Sequence, residues 1–178
     1  MKKDIIITLL IIMLVAVFVL ATDFKSVEEY YLENAENVKE GDAAVVISIR
    51  CDTVLDNMEK LDPALAPYVP SDGTVLAETK YALREGDTAF DILVRAAKTH
   101  RIQMEYSGTK ETKTVYIEGI ANIYEFSCGD LSGWTYLVNG ERPQVGSSAC
   151  TLRDGDKIEW VYTCELSEDI LQGGAKNE

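Results

Sequence analysis

Residues 132–143 read Ser-Gly-Trp-Thr-Tyr-Leu-Val-Asn-Gly-Glu-Arg-Pro. Trp134 and Tyr136 alternate with Thr135 and Leu137, which is the period of a strand. Asn139-Gly140 then supplies the positive-φ positions of a tight hairpin turn. Two roles compete for the aromatics. As strand residues sharing one face they fill a core; turned toward a concavity they offer flat apolar surfaces to a planar ligand, while the backbone amides at the Asn139 turn meet its polar groups. Glu141, Arg142, Pro143 and Gln144 follow at the hairpin tip, where a docking ligand or partner would meet them.

Working outward, Val45, Ile47 and Ile49 alternate with Val46, Ser48 and Arg50, so a half-buried strand runs into Cys51. Thr53 to Lys60 is a short helical piece, and the three prolines of residues 61–73 make a long loop. A strand over 74–83 follows. Asp87 or Thr88 can accept from the orphan amides of a first helical turn. Phe90, Leu93, Val94 and Ala97 then fall at i, i+3, i+4 and i+7, one apolar face of a helix ending near His100. Further strands are expected at 103–106, 114–118, 124–128, 134–138 and 157–164, where Ile158, Trp160, Tyr162 and Cys164 share a face. Trp160 and Tyr162 are read as core, and Tyr124 and Phe126 as packing residues. The pattern is α+β, with one helix across a face of a mixed sheet.

The ends differ from this middle. Lys2 and Lys3 precede Ile5 to Ala21, an uncharged apolar run that reads as a transmembrane anchor or a signal peptide. The run is longer than the usual signal core and favours an uncleaved anchor; cleavage after Ala21 would instead give a secreted chain. Residues 22–42 read as a polar spacer, 43–166 as the domain and 167–178 as a flexible tail. Either N-terminal reading places the domain outside the cytoplasm, at the extracytoplasmic face of a cell membrane or free of it, where disulfides persist.

That location gives meaning to Cys51, Cys128, Cys150 and Cys164. Widely spaced, without Cys-x-x-Cys and with one histidine in the whole chain, they suit two disulfides better than zinc. Three pairings are possible, and the sequence does not choose. Net charge is 17 − 30 = −13, and 15 − 29 = −14 after residue 21. Such a surface repels phosphate backbones and disfavours nucleic acid.

Three segments, 85–97 (EGDTAFDILVRAA), 116–143 (YIEGIANIYEFSCGDLSGWTYLVNGERP) and 152–163 (LRDGDKIEWVYT), together resemble the transcobalamin-like C-terminal domain family, DUF4430, found in bacterial surface proteins. The resemblance spans roughly Val45 to Leu166. It implies a β-grasp fold of the soluble-ligand-binding kind, with first and last strands parallel neighbours, and pairings Cys51–Cys164 and Cys128–Cys150. The second would close a loop of about 23 residues, worth on the order of 3 kcal/mol. It also implies cobalamin or a related corrinoid as non-covalent ligand, at Trp134, Tyr136, Asn139, Glu141, Arg142 and Gln144. In the vitamin carriers of the family a helical domain completes the pocket, and residues 22–42 cannot replace it. The opposing reading is an adhesion or assembly module whose hairpin meets a protein or glycan.

Catalytic equipment is not visible. No Gly-x-Ser-x-Gly, P-loop or dinucleotide fingerprint occurs, and carboxylates are too numerous to single out a pair. His100, at a helix end, is read as complementing the helix dipole. Asp154-Gly155-Asp156 with Glu165 echoes a calcium loop, but Glu159 stands where that loop needs glycine, so it reads as a turn. No metal and no enzyme activity are expected.

Overall fold

The computed structural model describes residues 11–14 and 38–165. The chain divides into two compact units, Met1–Glu33 and Asn34–Glu178. Residues 11–14 are helical; the rest of the expected anchor, most of the spacer and the tail lie outside the described residues. Among the described residues no helix is long and apolar enough to cross a membrane.

In the second unit, alternation in the sequence becomes a layered sheet. β1 (Ala44–Arg50) turns Val45, Ile47 and Ile49 inward to near-zero exposure. It pairs antiparallel with β2 (Thr74–Ala82) and parallel with β7 (Lys157–Thr163), where Ile47 faces Ile158 and Ile49 faces Trp160. β6 (Gly133–Val138) adds antiparallel to β7, giving the order β2-β1-β7-β6. A parallel pair needs a crossover. Between β1 and β7 lie the helix α1 (Ala89–His100) and a second antiparallel sheet, β3 (Met104–Ser107), β4 (Tyr116–Ile120) and β5 (Ile123–Tyr124), in the order β3-β4-β5. The helix buries Phe90, Ile92, Leu93 and Ala96 in one core with Val45, Ile47, Ile158, Trp160 and Tyr162. The expected α+β arrangement with one packed helix is present, with two sheets where one was expected.

The helix begins as a capping box: Asp91 N donates to Thr88 Oγ1 at 3.4 Å, and Thr88 N donates to Asp91 Oδ2 at 2.9 Å. Thr88, not Asp87, is therefore the cap. Burial pushes the Asp91 carboxyl up, but hydrogen bonds from Lys110 and Thr88 outweigh it and leave the group below its ordinary range. A carboxyl lowered on folding adds stability that is present above the unfolded value near 4 and lost as pH falls through the lower folded value. Asp91→Asn should therefore flatten the acid limb of a melting-temperature curve recorded from about pH 6 to pH 2. Parallel curves for the two proteins would remove Asp91 from that limb.

Four expectations need correction. The helical piece at 53–60 is a 3₁₀ helix at Asp52–Asn57, and a second one, Pro63–Tyr68, replaces part of the expected loop. Pro63 fits a first helical position and Asp62 caps it, accepting from Ala64 N at 2.9 Å. The strand expected at 124–128 stops at Tyr124, because Ser127 Oγ accepts from Tyr124 N at 3.1 Å and a local turn outcompetes the ladder. Phe126 takes φ +64° in that turn and is 64% exposed, so it is not a packing residue.

Candidate functional site

β6 is the outer strand of the larger sheet, and in the other sheet β4 passes close to it. Segment 142–147 crosses beside both, leaving a cavity of about 470 Å³ among Val115–Ile117, Trp134–Tyr136, residues 142–147 and Trp160. The Asn-Gly reading explains one wall. Val138 and Glu141 exchange backbone hydrogen bonds at 2.8 and 3.1 Å around a two-residue turn with φ of 54° at Asn139 and 79° at Gly140. The chain returns for that one residue and then swings away. Tyr136 draws it back, its hydroxyl donating to Val145 O at 2.6 Å.

Trp134 and Tyr136 combine both roles weighed from the sequence. They are 6% and 7% exposed, as core residues are, yet both line the cavity. Trp134 Nε1 donates to Ile123 O at 2.8 Å, and its ring meets Tyr162 edge-on at 5.3 Å. Tyr136 stacks on Trp160, with ring centroids 5.4 Å apart at 28°. Burial, with Cys150 beside it, raises the Tyr136 hydroxyl well above its ordinary value, so it stays protonated and remains a donor. Trp160 is 2% exposed and its indole N–H has no acceptor, an exception to the rule that buried donors are paired.

The other candidates divide. Arg142 and Gln144 are exposed residues lining the cavity. Asn139 and Glu141 are not among its lining residues. Asn139 Nδ2 donates to Asp156 Oδ1 at 2.8 Å while its Oδ1 accepts from Lys157 N at 2.9 Å, which fixes the turn to the start of β7. Val115, Tyr116 and Ile117 were missed as lining residues, because nothing in the sequence brings β4 beside β6. Trp160, read only as core, is also a lining residue, placed there by its cross-strand pairing with Tyr136.

The cysteines meet differently from the pairs implied by resemblance. Cys128 Sγ lies 2.8 Å from Cys164 Sγ, with both residues buried. Cys150 sits elsewhere, beside Tyr136, with its carbonyl accepting from Ala89 N at 3.0 Å. Cys51 is fully buried, and burial with Asp52 and Asp72 nearby pushes its thiol up to about 12, which leaves it inert as a nucleophile.

The Asp154-Gly155-Asp156 carboxylates serve the turn itself. Asp154 Oδ1 accepts from Ala44 N at 2.7 Å and Asp156 Oδ2 from Arg153 N at 2.7 Å. Among the described residues no group of three or more His, Cys, Asp or Glu side chains could hold a metal. His100 lies in the last helical turn, as expected.

An aromatic cavity with a cationic side chain, Arg142, in its lining has the layout of a ligand-binding domain. Residues 86–164 match the model of the DUF4430 family, a domain of unknown function. No curated protein matches the sequence. Among solved structures, haptocorrin in complex with Cbi is similar at 16% identity and a TM-score of 0.47, over 72% of this chain. The similar region is 27% of haptocorrin's length. A protein of Ruminococcus gnavus ATCC 29149 to which metal binding is ascribed is similar at 11% identity and a TM-score of 0.38, over 68% of this chain and 97% of its own.

Proposed function

We propose that this is a non-catalytic ligand-binding module, tethered by its N-terminal segment to the outer face of a membrane, that takes an edge of a corrinoid into the aromatic cavity. The observation that carries the reading is the cavity itself, walled by Tyr136 stacked on Trp160. A planar macrocycle with amide side chains supplies both what aromatic rings favour, apolar area, and carbonyl oxygens for the Arg142 and Gln144 side chains of the lining. The motif resemblance to the transcobalamin-like family supports the corrinoid class. The parallel pairing of β1 with β7 and the helix across their sheet support the β-grasp class that the resemblance implies.

Size limits the mode of binding. About 470 Å³ encloses a ligand of ordinary drug size. A whole corrinoid exceeds it, so the remainder of the ligand lies against the Arg142 and Gln144 rim or a second protein. The test is equilibrium dialysis of the full-length chain, in mild detergent, against cobalamin and cobinamide. Saturable binding near micromolar is expected, about 8 kcal/mol of affinity. Arg142→Ala combined with Gln144→Ala should weaken it about tenfold, near 1.4 kcal/mol, with an unchanged melting temperature. No binding up to about a millimolar, roughly 4 kcal/mol, would overturn the corrinoid reading. It would leave the adhesion module, for which the exposed Glu141, Arg142 and Gln144 form the contact surface.

A further inference from the structure

We propose that Cys128 and Cys164 form a buried disulfide that staples the turn before β6 to the end of β7. The two sulfurs lie 2.8 Å apart on residues 36 positions apart in sequence. Small side-chain rotations would bring them to the ~2.05 Å of a covalent bond. Their surroundings hold them there. Cys128 Sγ is 3.6 Å from Asn57 O and Cys164 Sγ 3.8 Å from Thr53 O, so both point beneath the 3₁₀ helix Asp52–Asn57. Thr53 Oγ1 donates to Tyr162 O at 2.6 Å, fixing that helix to β7 just before Cys164. Cys128 N donates to Ser132 Oγ at 3.0 Å, and Ser132 Oγ also donates to Gly129 O at 2.7 Å, which presets the turn.

Cys150 is placed elsewhere. Cys150 belongs to the segment that bridges Thr88 and Thr151 at the start of α1, and its thiol is beside Tyr136. A bond from Cys128 to Cys150 would have to pull Cys128 away from Cys164. Cys51 and Cys150 remain thiols.

The oxidant is a small or protein-borne disulfide, for which glutathione disulfide serves in the test. One protein thiolate attacks it and displaces a glutathione thiolate; the second protein thiolate attacks the mixed disulfide and displaces the other. The protein loses two S–H protons and two electrons, and two glutathione thiols carry them away. Cys128 is 0% and Cys164 3% exposed, so the exchange occurs before the turn closes over the pair.

The full-length chain is refolded in detergent with glutathione disulfide and glutathione, denatured under acid quench, alkylated and digested. The expected result is two alkylated cysteines, 51 and 150, and one cross-linked peptide pair joining 128 to 164. Dithiothreitol added after denaturation should release the pair at once, whereas the folded protein resists it. Reduction should lower the melting temperature by about 10 °C or more. That shift should survive in Cys51→Ser with Cys150→Ser and vanish in Cys128→Ser with Cys164→Ser. Peptides joining Cys51 to Cys164 or Cys128 to Cys150, or four alkylated cysteines, would overturn the proposal.

Discussion

Trp134→Ala is expected to destabilise the domain by about 3–5 kcal/mol, the range for removing a buried aromatic side chain from a core that only partly collapses. Three losses combine. The indole gives up apolar contact at 6% exposure, its edge-on packing with Tyr162 disappears, and the Ile123 carbonyl loses its donor inside the protein. The last of these is local to the joint between sheets, because Trp134 belongs to β6 and Ile123 to β5. Trp134→Phe separates the contributions: it keeps most of the packing and forfeits the hydrogen bond, and should cost about 1–2 kcal/mol. Urea unfolding of the three proteins measures both. A Trp134→Ala cost within about 1 kcal/mol of zero would mean that the indole is a cavity wall only and carries no core.

How much of this was legible in the sequence depends on the range of the interactions concerned. Unlike β2, which has no such alternation because its buried Leu76 and Tyr81 lie five residues apart, β1, β6 and β7 announce themselves through period-two alternation, a local pattern. The helix was readable for the same reason, its apolar spacing and Thr88 cap lying within a few residues of each other. The Asn139-Gly140 turn follows from backbone sterics at two adjacent positions. Phe126 was misread because strand propensity says nothing about Ser127, whose hydroxyl makes the turn that exposes it. The cavity was only half legible. Trp134, Tyr136, Arg142 and Gln144 were singled out from one stretch, but the approach of β4 to β6, and hence Val115 to Ile117, depends on how two sheets meet across the chain. Asn139 and Glu141 were included by nearness in sequence, and the structure spends both on closing the turn. Cysteine pairing lies at the far end of this scale, since it requires the positions of two side chains that no local pattern fixes.

The second large effect is expected at Asp87, a residue the sequence offers only as a possible helix cap. Its carboxylate instead accepts from Arg95 Nη2, with the two side chains 12% and 8% exposed, and Arg95 Nη1 donates to Ala82 O at 3.0 Å. Asp87 Oδ2 also accepts from Arg84 N at 2.7 Å, and Asp87 O from Leu152 N at 3.0 Å. The pair thus ties the end of β2, the first turns of α1 and the segment leading to β7. Asp87→Ala leaves a guanidinium buried with one remaining acceptor, since Arg95 Nε has none. Breaking such a pair from one side costs about 3–5 kcal/mol. Replacing both partners removes the stranded charge, so Asp87→Asn with Arg95→Met should recover most of that loss and be more stable than Asp87→Ala alone. Because the pair is shielded from solvent, the Asp87→Ala deficit should change little between low and high salt. Chemical unfolding of the single and double variants, at two salt concentrations, decides the matter. A double variant no better than Asp87→Ala would show that Asp87 matters for its contacts with Arg84, and that the buried Arg95 needs no counter-charge.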